Sequence, residues 1–129
     1  MKTTRFWKWV YTFWPTVLRA YVVFFHHHRQ DFLIGTLDLQ QSPKALESYL
    51  AVQGFEPAII ALKDPGEILN MRKIDQTVFQ YHLRLFDDGE IRVHHEYAPE
   101  ARPIVHCFNF RAEFREDYFR KLLKGYLRS

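Results

Sequence analysis

The chain has 129 residues, of which 47% are hydrophobic, 17% aromatic and 26% charged, and its formal net charge is +3. The apolar share excludes a disordered chain, and the length suits one domain with its own core. A single cysteine excludes a disulfide within the chain, and no glycine-rich phosphate loop, G-x-G-x-x-G, H-E-x-x-H or C-x-x-C motif is present. We therefore expect one α+β domain over residues 1–129, located in the cytoplasm.

The first 28 residues form an aromatic and basic N-terminal element without an acidic residue. Lys8, Pro15 and Arg19 interrupt its apolar run, which argues against a signal peptide or a membrane span. At helical spacing Trp7, Trp14 and Tyr21 share a stripe with Lys8 and Thr12 opposite, although residues 21–25 also suit a strand. We expect the stripe to pack on the domain's sheet or to form a homo-oligomer, and an anionic membrane surface is the alternative.

The predicted elements that follow are one strand, one helix, a run of five strands and a closing helix. The residues Ser42-Pro43 and Gly54 bracket a helix, because serine caps helix N-termini and glycine commonly ends helices. The sequence Asp64-Pro65-Gly66-Glu67 is typical of a type II turn between two strands. The complete prediction is strands at 31–39, 57–63, 67–74, 77–86, 90–97 and 104–110, with helices near the N-terminus, at 43–53 and at 114–127.

This order predicts an antiparallel, curled sheet of five to six strands packed with N-terminal, central and C-terminal helices. As architecture only, it resembles helix-grip or cystatin-like folds. Because such scaffolds carry many unrelated functions, the resemblance implies a shape and no particular activity.

The sequence of residues 77–97 predicts which residues of the two hairpin strands lie opposite each other. A three-residue turn at Asp87-Asp88-Gly89, with Gly89 left-handed, pairs Leu83 with Val93 and Leu85 with Ile91. A shorter turn would place Leu83 opposite His94 and mix apolar with polar residues, so we predict the first register. One face of the hairpin is then apolar and the other is polar. The polar pairs are Arg84 with Arg92, His82 with His94, and Gln80 with Glu96.

The polar face carries the candidate catalytic residues. If the strand 104–110 pairs with the strand 90–97 and keeps the same alternation of faces, His106 lies beside His95, Phe108 beside Val93 and Cys107 beside His94. The candidate catalytic residues are His82, His94, Arg84, Arg92, Cys107 and Glu96.

Three chemistries suit this group of residue types. They are a cysteine nucleophile with a histidine base, a His/His/Cys zinc site, and metal-free RNA cleavage by two histidines and two arginines. A solvated sheet face with weak ion pairs is the alternative, and we assign no cofactor and no metal from the sequence.

The apolar face carries a second candidate group, Tyr81, His95 and His106. A polar row in an apolar concavity is typical of a small-molecule pocket, and three hydrogen-bonded core residues are the alternative. The triplet of residues 26–28 is not expected to bind metal, since adjacent strand residues point to opposite faces.

We expect a non-catalytic binding or interaction domain. The rival function is a small ribonuclease-like or Cys/His hydrolytic enzyme. A third alternative is an adaptor for nucleic acid or a membrane surface, because residues 1–30 and 111–129 are basic and the middle of the chain is acidic.

Overall fold

The computed structural model describes residues 31–58, 63–102 and 113–129, together with Lys8 and Thr12. In these ranges the chain forms an open, five-stranded antiparallel sheet of strand order β1-β5-β4-β3-β2 with two helices, so the α+β class is confirmed. The elements are β1 (Phe32–Thr36), α1 (Pro43–Val52), β2 (Glu56–Pro57), β3 (Glu67–Asp75), β4 (Phe79–Phe86), β5 (Glu90–Tyr97) and α2 (Glu116–Leu122).

The predicted hairpin register is confirmed along its whole length. Leu83 lies opposite Val93, His82 opposite His94 and Arg84 opposite Arg92. Gly89 has a φ of 88°, the left-handed conformation that this turn requires. The alternation of β4 and β5 therefore separates two chemically distinct faces of the sheet.

The helices pack on the apolar face. The Ser42 hydroxyl accepts a hydrogen bond from the Ala45 amide at 3.0 Å, and Pro43 opens α1, as its cap residues predict. Leu46 and Leu50 of α1 and Phe119 of α2 are all completely buried. They join one core with the sheet residues Met71, Leu83, Leu85, Ile91 and Val93.

The type II turn before β3 is also confirmed. Gly66 has a φ of 82°, and the Glu67 amide donates to the carbonyl of Asp64 at 3.1 Å. The strand predicted at 57–63 differs from the one observed, since β2 covers Glu56–Pro57. Residues 59–62 of the predicted strand lie outside the described ranges.

The predicted neighbour of β5 is wrong. Phe32 lies opposite Val93, where Phe108 was expected, because β1 pairs with the free edge of β5. Glu113 lies opposite His95, where His106 was expected, with paired backbone hydrogen bonds of 2.6 and 2.7 Å. Each position of β5 accepts only one neighbour on that edge, so Phe32 and Glu113 take the places expected for Phe108 and His106. His106, Cys107 and Phe108 themselves lie outside the described residues.

The C-terminal helix is shorter than predicted. It ends at Leu122 instead of 127, since the chain turns and Leu127 forms a bridge to Leu37. The Arg128 amide then donates to the carbonyl of Thr36 at 2.7 Å. The apolar residues beyond Leu123 thus secure the edge strand instead of prolonging the helix.

The predicted N-terminal element lies outside the described residues except at two positions. Lys8 and Thr12 are helical and exposed, and the Thr12 hydroxyl donates to the carbonyl of Lys8 at 3.2 Å. Both belong to the side opposite the predicted aromatic stripe. In the described part of the chain, helices with the length and apolarity to cross a membrane are absent.

Candidate metal centre on the polar face

The polar face of the hairpin is buried, which rules out the solvated face that the sequence left open. Gln80, His82, Arg84, His94 and Glu96 each expose 4% of their surface or less. The side chain of Arg92 remains 37% exposed, at the margin of the face. A polar group taken out of water needs a partner, so each contact on this face carries energetic weight.

The two histidines contact each other and one carboxylate. His82 Nδ1 lies 3.2 Å from His94 Nε2, and the rings cross almost at right angles. Glu96 Oε1 lies 3.0 Å from His94 Nε2 and 3.9 Å from His82 Nδ1. Three atoms that can each offer a lone pair therefore converge on one point between β4 and β5.

The outer nitrogen of each histidine has its own partner. His94 Nδ1 lies 2.5 Å from Asp31 Oδ1, because β1 continues alongside β5 and places Asp31 beside His94. His82 Nε2 contacts Asn70 Oδ1. The Asn70 amide nitrogen donates to Glu67 Oε1 at 2.6 Å, which leaves its oxygen to accept from His82.

Arg84 is neutralised by carboxylates from three segments. Its guanidinium contacts Asp31, Asp64 and Glu67, and it also lies over the Phe86 ring at 5.3 Å. Like charges opposite each other on adjacent strands repel, and carboxylates of the protein itself relieve this repulsion between Arg84 and Arg92.

Arg92 and Arg72 also have carboxylate partners. Arg92 pairs with Glu90 at 2.9 Å. Arg72, directly opposite His82, reaches Glu56 at 3.0 Å and Glu100 at 2.5 Å. Arg72 also donates to Gln80 Oε1 at 3.3 Å. Each described arginine of this face is thus held by protein oxygen atoms.

The sequence prediction missed the outer partners of the histidines. Asn70 and Arg72 could have been found from the sequence. Once β3 is aligned with β4, Asn70 lies opposite Arg84 and Arg72 opposite His82, on the same face of the sheet. Asp31 depends on the long-range pairing of β1 with β5, which no local signal in the sequence reveals. Cys107, which was predicted beside His94, lies outside the described residues.

Of the second predicted group, Tyr81 packs against the core and His95 is buried beside it. The ring of Tyr81 stacks on that of Tyr118 with 4.0 Å between the ring centroids, and its centroid lies 4.8 Å from that of the His95 ring. His95 Nε2 lies 3.0 Å from Asp75 Oδ2. Burial raises the pKa of Tyr81, and the neighbouring Asp75 carboxylate raises it further. The contacts resemble hydrogen-bonded core residues more than an open pocket, and His106 lies outside the described residues.

The polar face suits a small ion better than a large substrate. The direct contact between His82 and His94 leaves no gap for a scissile phosphate, and both residues expose 2% or less of their surface. Acid–base cleavage of RNA needs the two groups on either side of the reacting phosphate. Comparison with protein-family models, curated proteins and solved structures gives no match, so the face is interpreted from its own geometry.

Proposed function

We propose that this protein is a non-catalytic binding domain and that its ligand is a small cation held on the polar face. The position of His94 supports this most directly. A carboxylate oxygen lies 2.5 Å from one ring nitrogen and another lies 3.0 Å from the second. Ionised carboxylates only accept hydrogen bonds, so two of them against one ring favour positive charge there, which a cation bound at Nε2 would supply. This proposal departs from the sequence prediction, which assigned no metal.

The buried charges of the face support the same sign of ligand. Among the described residues of this network, four carboxylate side chains expose 4% or less, those of Asp31, Glu67, Glu96 and Glu100. The comparably buried guanidiniums in the same described set belong to Arg72 and Arg84. Carboxylate oxygens concentrated in this way favour a cation over an anion as the ligand of the face.

The catalytic alternatives receive less support from this arrangement. An anionic substrate such as RNA would have to approach a buried face whose described arginines are already paired. The same sign argument disfavours phosphate and sulfate as ligands of the face.

Ligand-dependent thermal stability tests the proposal. The purified full chain, stripped with EDTA, is melted with Zn²⁺, Co²⁺, Ca²⁺, Mg²⁺, phosphate or sulfate. A ligand at 100 times its Kd stabilises the folded protein by about 2.7 kcal/mol. We expect a rise in Tm of several degrees with at least one divalent cation and no rise with either anion.

A turnover assay tests the same proposal from the catalytic side. The wild type and His82→Ala are incubated with RNA, a simple ester and a phosphodiester. We expect no turnover above that of the variant. Turnover lost on the substitution, or a rise in Tm with phosphate but with no cation, contradicts the proposal.

The finer features of the sequence prediction belong to this proposal. We retain an N-terminal helix that packs its aromatic stripe on protein, a helix-grip or cystatin-like arrangement, and a cytoplasmic location. A homo-oligomer formed through Trp7, Trp14 and Tyr21 is part of it, and light scattering measures the oligomeric state directly. The basic segment at residues 1–30 supports the rival adaptor function only through its charge.

A further inference from the structure

We infer that the cation is a divalent transition metal, zinc before others, with His82 Nδ1, His94 Nε2 and Glu96 Oε1 as ligands. This inference rests on the proposed function, which leaves the chemistry of the cation and its position on the face open. It assigns a metal site to three residues that adjacent strands bring together.

The spacing of the three atoms suits a tetrahedral ion. Zinc binds histidine nitrogen and carboxylate oxygen at about 2.0–2.2 Å, so two ligands of a tetrahedron lie roughly 3.3–3.5 Å apart. The observed separations are 3.0, 3.2 and 3.9 Å. An ion placed between the three atoms therefore reaches all of them with small side-chain adjustments.

The outer hydrogen bonds point both lone pairs towards the ion. Asn70 Oδ1 accepts from His82 Nε2, and that proton leaves His82 Nδ1 as a lone pair. Asp31 accepts from His94 Nδ1, and that proton leaves His94 Nε2 as a lone pair. Histidine ligands of metals commonly donate their other N–H to a carboxylate or carbonyl oxygen in this way.

The carboxylate ligand is fixed by the same network. The Gln80 amide nitrogen donates to Glu96 Oε1 at 2.9 Å, while Gln80 Oε1 accepts from Arg72. His82 Nδ1, His94 Nε2 and Glu96 Oε1 thus lie within 3.9 Å of one another in a buried place. A metal ion at this place would form three bonds, one to each of these atoms.

The donor set selects the class of metal. Imidazole nitrogen suits zinc, cobalt, copper, iron and nickel, whereas calcium and magnesium prefer oxygen ligands alone. An oxygen-only alternative exists nearby, where Asp31, Asp64 and Glu67 surround Arg84, but the guanidinium already lies among these carboxylates. The histidine group therefore favours transition metals.

Cobalt spectroscopy on the full chain tests the site. The EDTA-stripped protein is titrated with Co²⁺, whose visible absorption intensifies in a tetrahedral environment, and the bound Co²⁺ is then displaced with Zn²⁺. We expect one equivalent of Co²⁺ with intense visible bands, abolished in His82→Ala and His94→Ala. Glu96→Gln keeps the shape of the side chain, and we expect weaker binding with altered bands.

A positioning residue and a matched histidine complete the test. Asp31→Asn should weaken Zn²⁺ binding by about 10–100-fold, because outer partners of ligands commonly contribute that much. His95→Gln removes an equally buried histidine from the opposite face of the same strand and should leave the cobalt bands intact. Circular dichroism of each variant separates loss of ligand from loss of fold.

The outcomes distinguish the inference from the proposed function. Stabilisation by Ca²⁺ or Mg²⁺ without cobalt bands keeps the cation-binding proposal and overturns the histidine site. Cobalt bands that persist in folded His82→Ala, or that are unaltered in folded Glu96→Gln, also overturn it. Failure of every cation to bind overturns both.

Discussion

The centres of both faces of the β4–β5 hairpin are buried, but different forces stabilise them. On one face Leu83, Leu85, Ile91 and Val93 expose none of their surface. On the other, His82 and His94 are buried to within 2%. The apolar face gains from removing hydrocarbon from water, whereas the polar face loses hydration and must recover it through hydrogen bonds and ion pairs.

The comparison shows that alternating polarity along a strand does not by itself mean that the polar face is exposed to solvent. A period of two in a strand shows that two faces differ in polarity, but it does not show that the polar face meets water. Here the polar face is a dense network in which each histidine contacts oxygen and nitrogen partners. A face of this kind constrains geometry, which is what a metal ligand set requires.

The largest expected loss of stability comes from removing a buried positive charge from the polar face. Replacing Arg84→Met keeps the length of the side chain but leaves the buried Glu67 carboxylate without its guanidinium. Breaking a buried ion pair in this way should cost about 3–5 kcal/mol of unfolding free energy.

Arg92→Met is the matched control on the opposite strand. Arg92 is 37% exposed and pairs with Glu90, so the change should cost no more than about 1 kcal/mol. Urea denaturation measures both variants. Equal and small losses would mean that the polar face is not the rigid network inferred from its contacts.

A cavity in the apolar face gives the next effect. Leu83→Ala removes a completely buried side chain from the centre of the core, and such changes cost about 2–5 kcal/mol. Leu39→Ala, at a residue that is 81% exposed, should change stability by less than about 0.5 kcal/mol. A cost for Leu83→Ala as small as that of the control would refute the assignment of this face as the core.

A smaller effect is expected at the turn that sets the register of β4 with β5, and so decides which residues lie on each face. Gly89 has a φ of 88°, and a Cβ atom there would lie 3.0 Å from Thr36 Cγ2. Gly89→Val should therefore cost about 1 kcal/mol or more, since a β-branched residue resists positive φ. Thermal melting detects the loss, and an unchanged Tm would argue against the left-handed turn.

The smallest effect concerns the edge of the apolar face. Burial raises the pKa of Tyr118 from 10.0 to about 12, and burial also raises the pKa of Tyr81, on which Tyr118 stacks. The unfolded chain then loses the phenol proton first, so this contribution to stability is present below pH 10 and is lost as the pH rises towards about 12.

Tyr118→Phe should flatten this alkaline loss of stability, measured by urea denaturation at a series of pH values. Ultraviolet titration of the tyrosines should show one fewer late-titrating phenol in the variant. An identical pH dependence in the wild type and the variant would contradict the shifted pKa.

The local features of this fold could be predicted from the amino-acid sequence alone. The register of β4 with β5 follows from the turn at 87–89 and from apolar alternation over the hairpin. The helix start at Ser42-Pro43 and the turn at Gly66 follow from residues that favour particular backbone angles. Each of these features depends on contacts close in the chain, where a few residues fix the geometry.

The contacts between segments far apart in the chain became evident only from the folded structure. The edge of β5 is taken by β1, about 60 residues earlier, and by Glu113, and no local residue pattern selects these neighbours. That pairing brings Asp31 to His94 and Arg84, while β3 brings Asn70 to His82. The histidine pair was therefore predictable from the sequence. Its burial and its outer partners were not, because they depend on segments that meet only after the chain has folded.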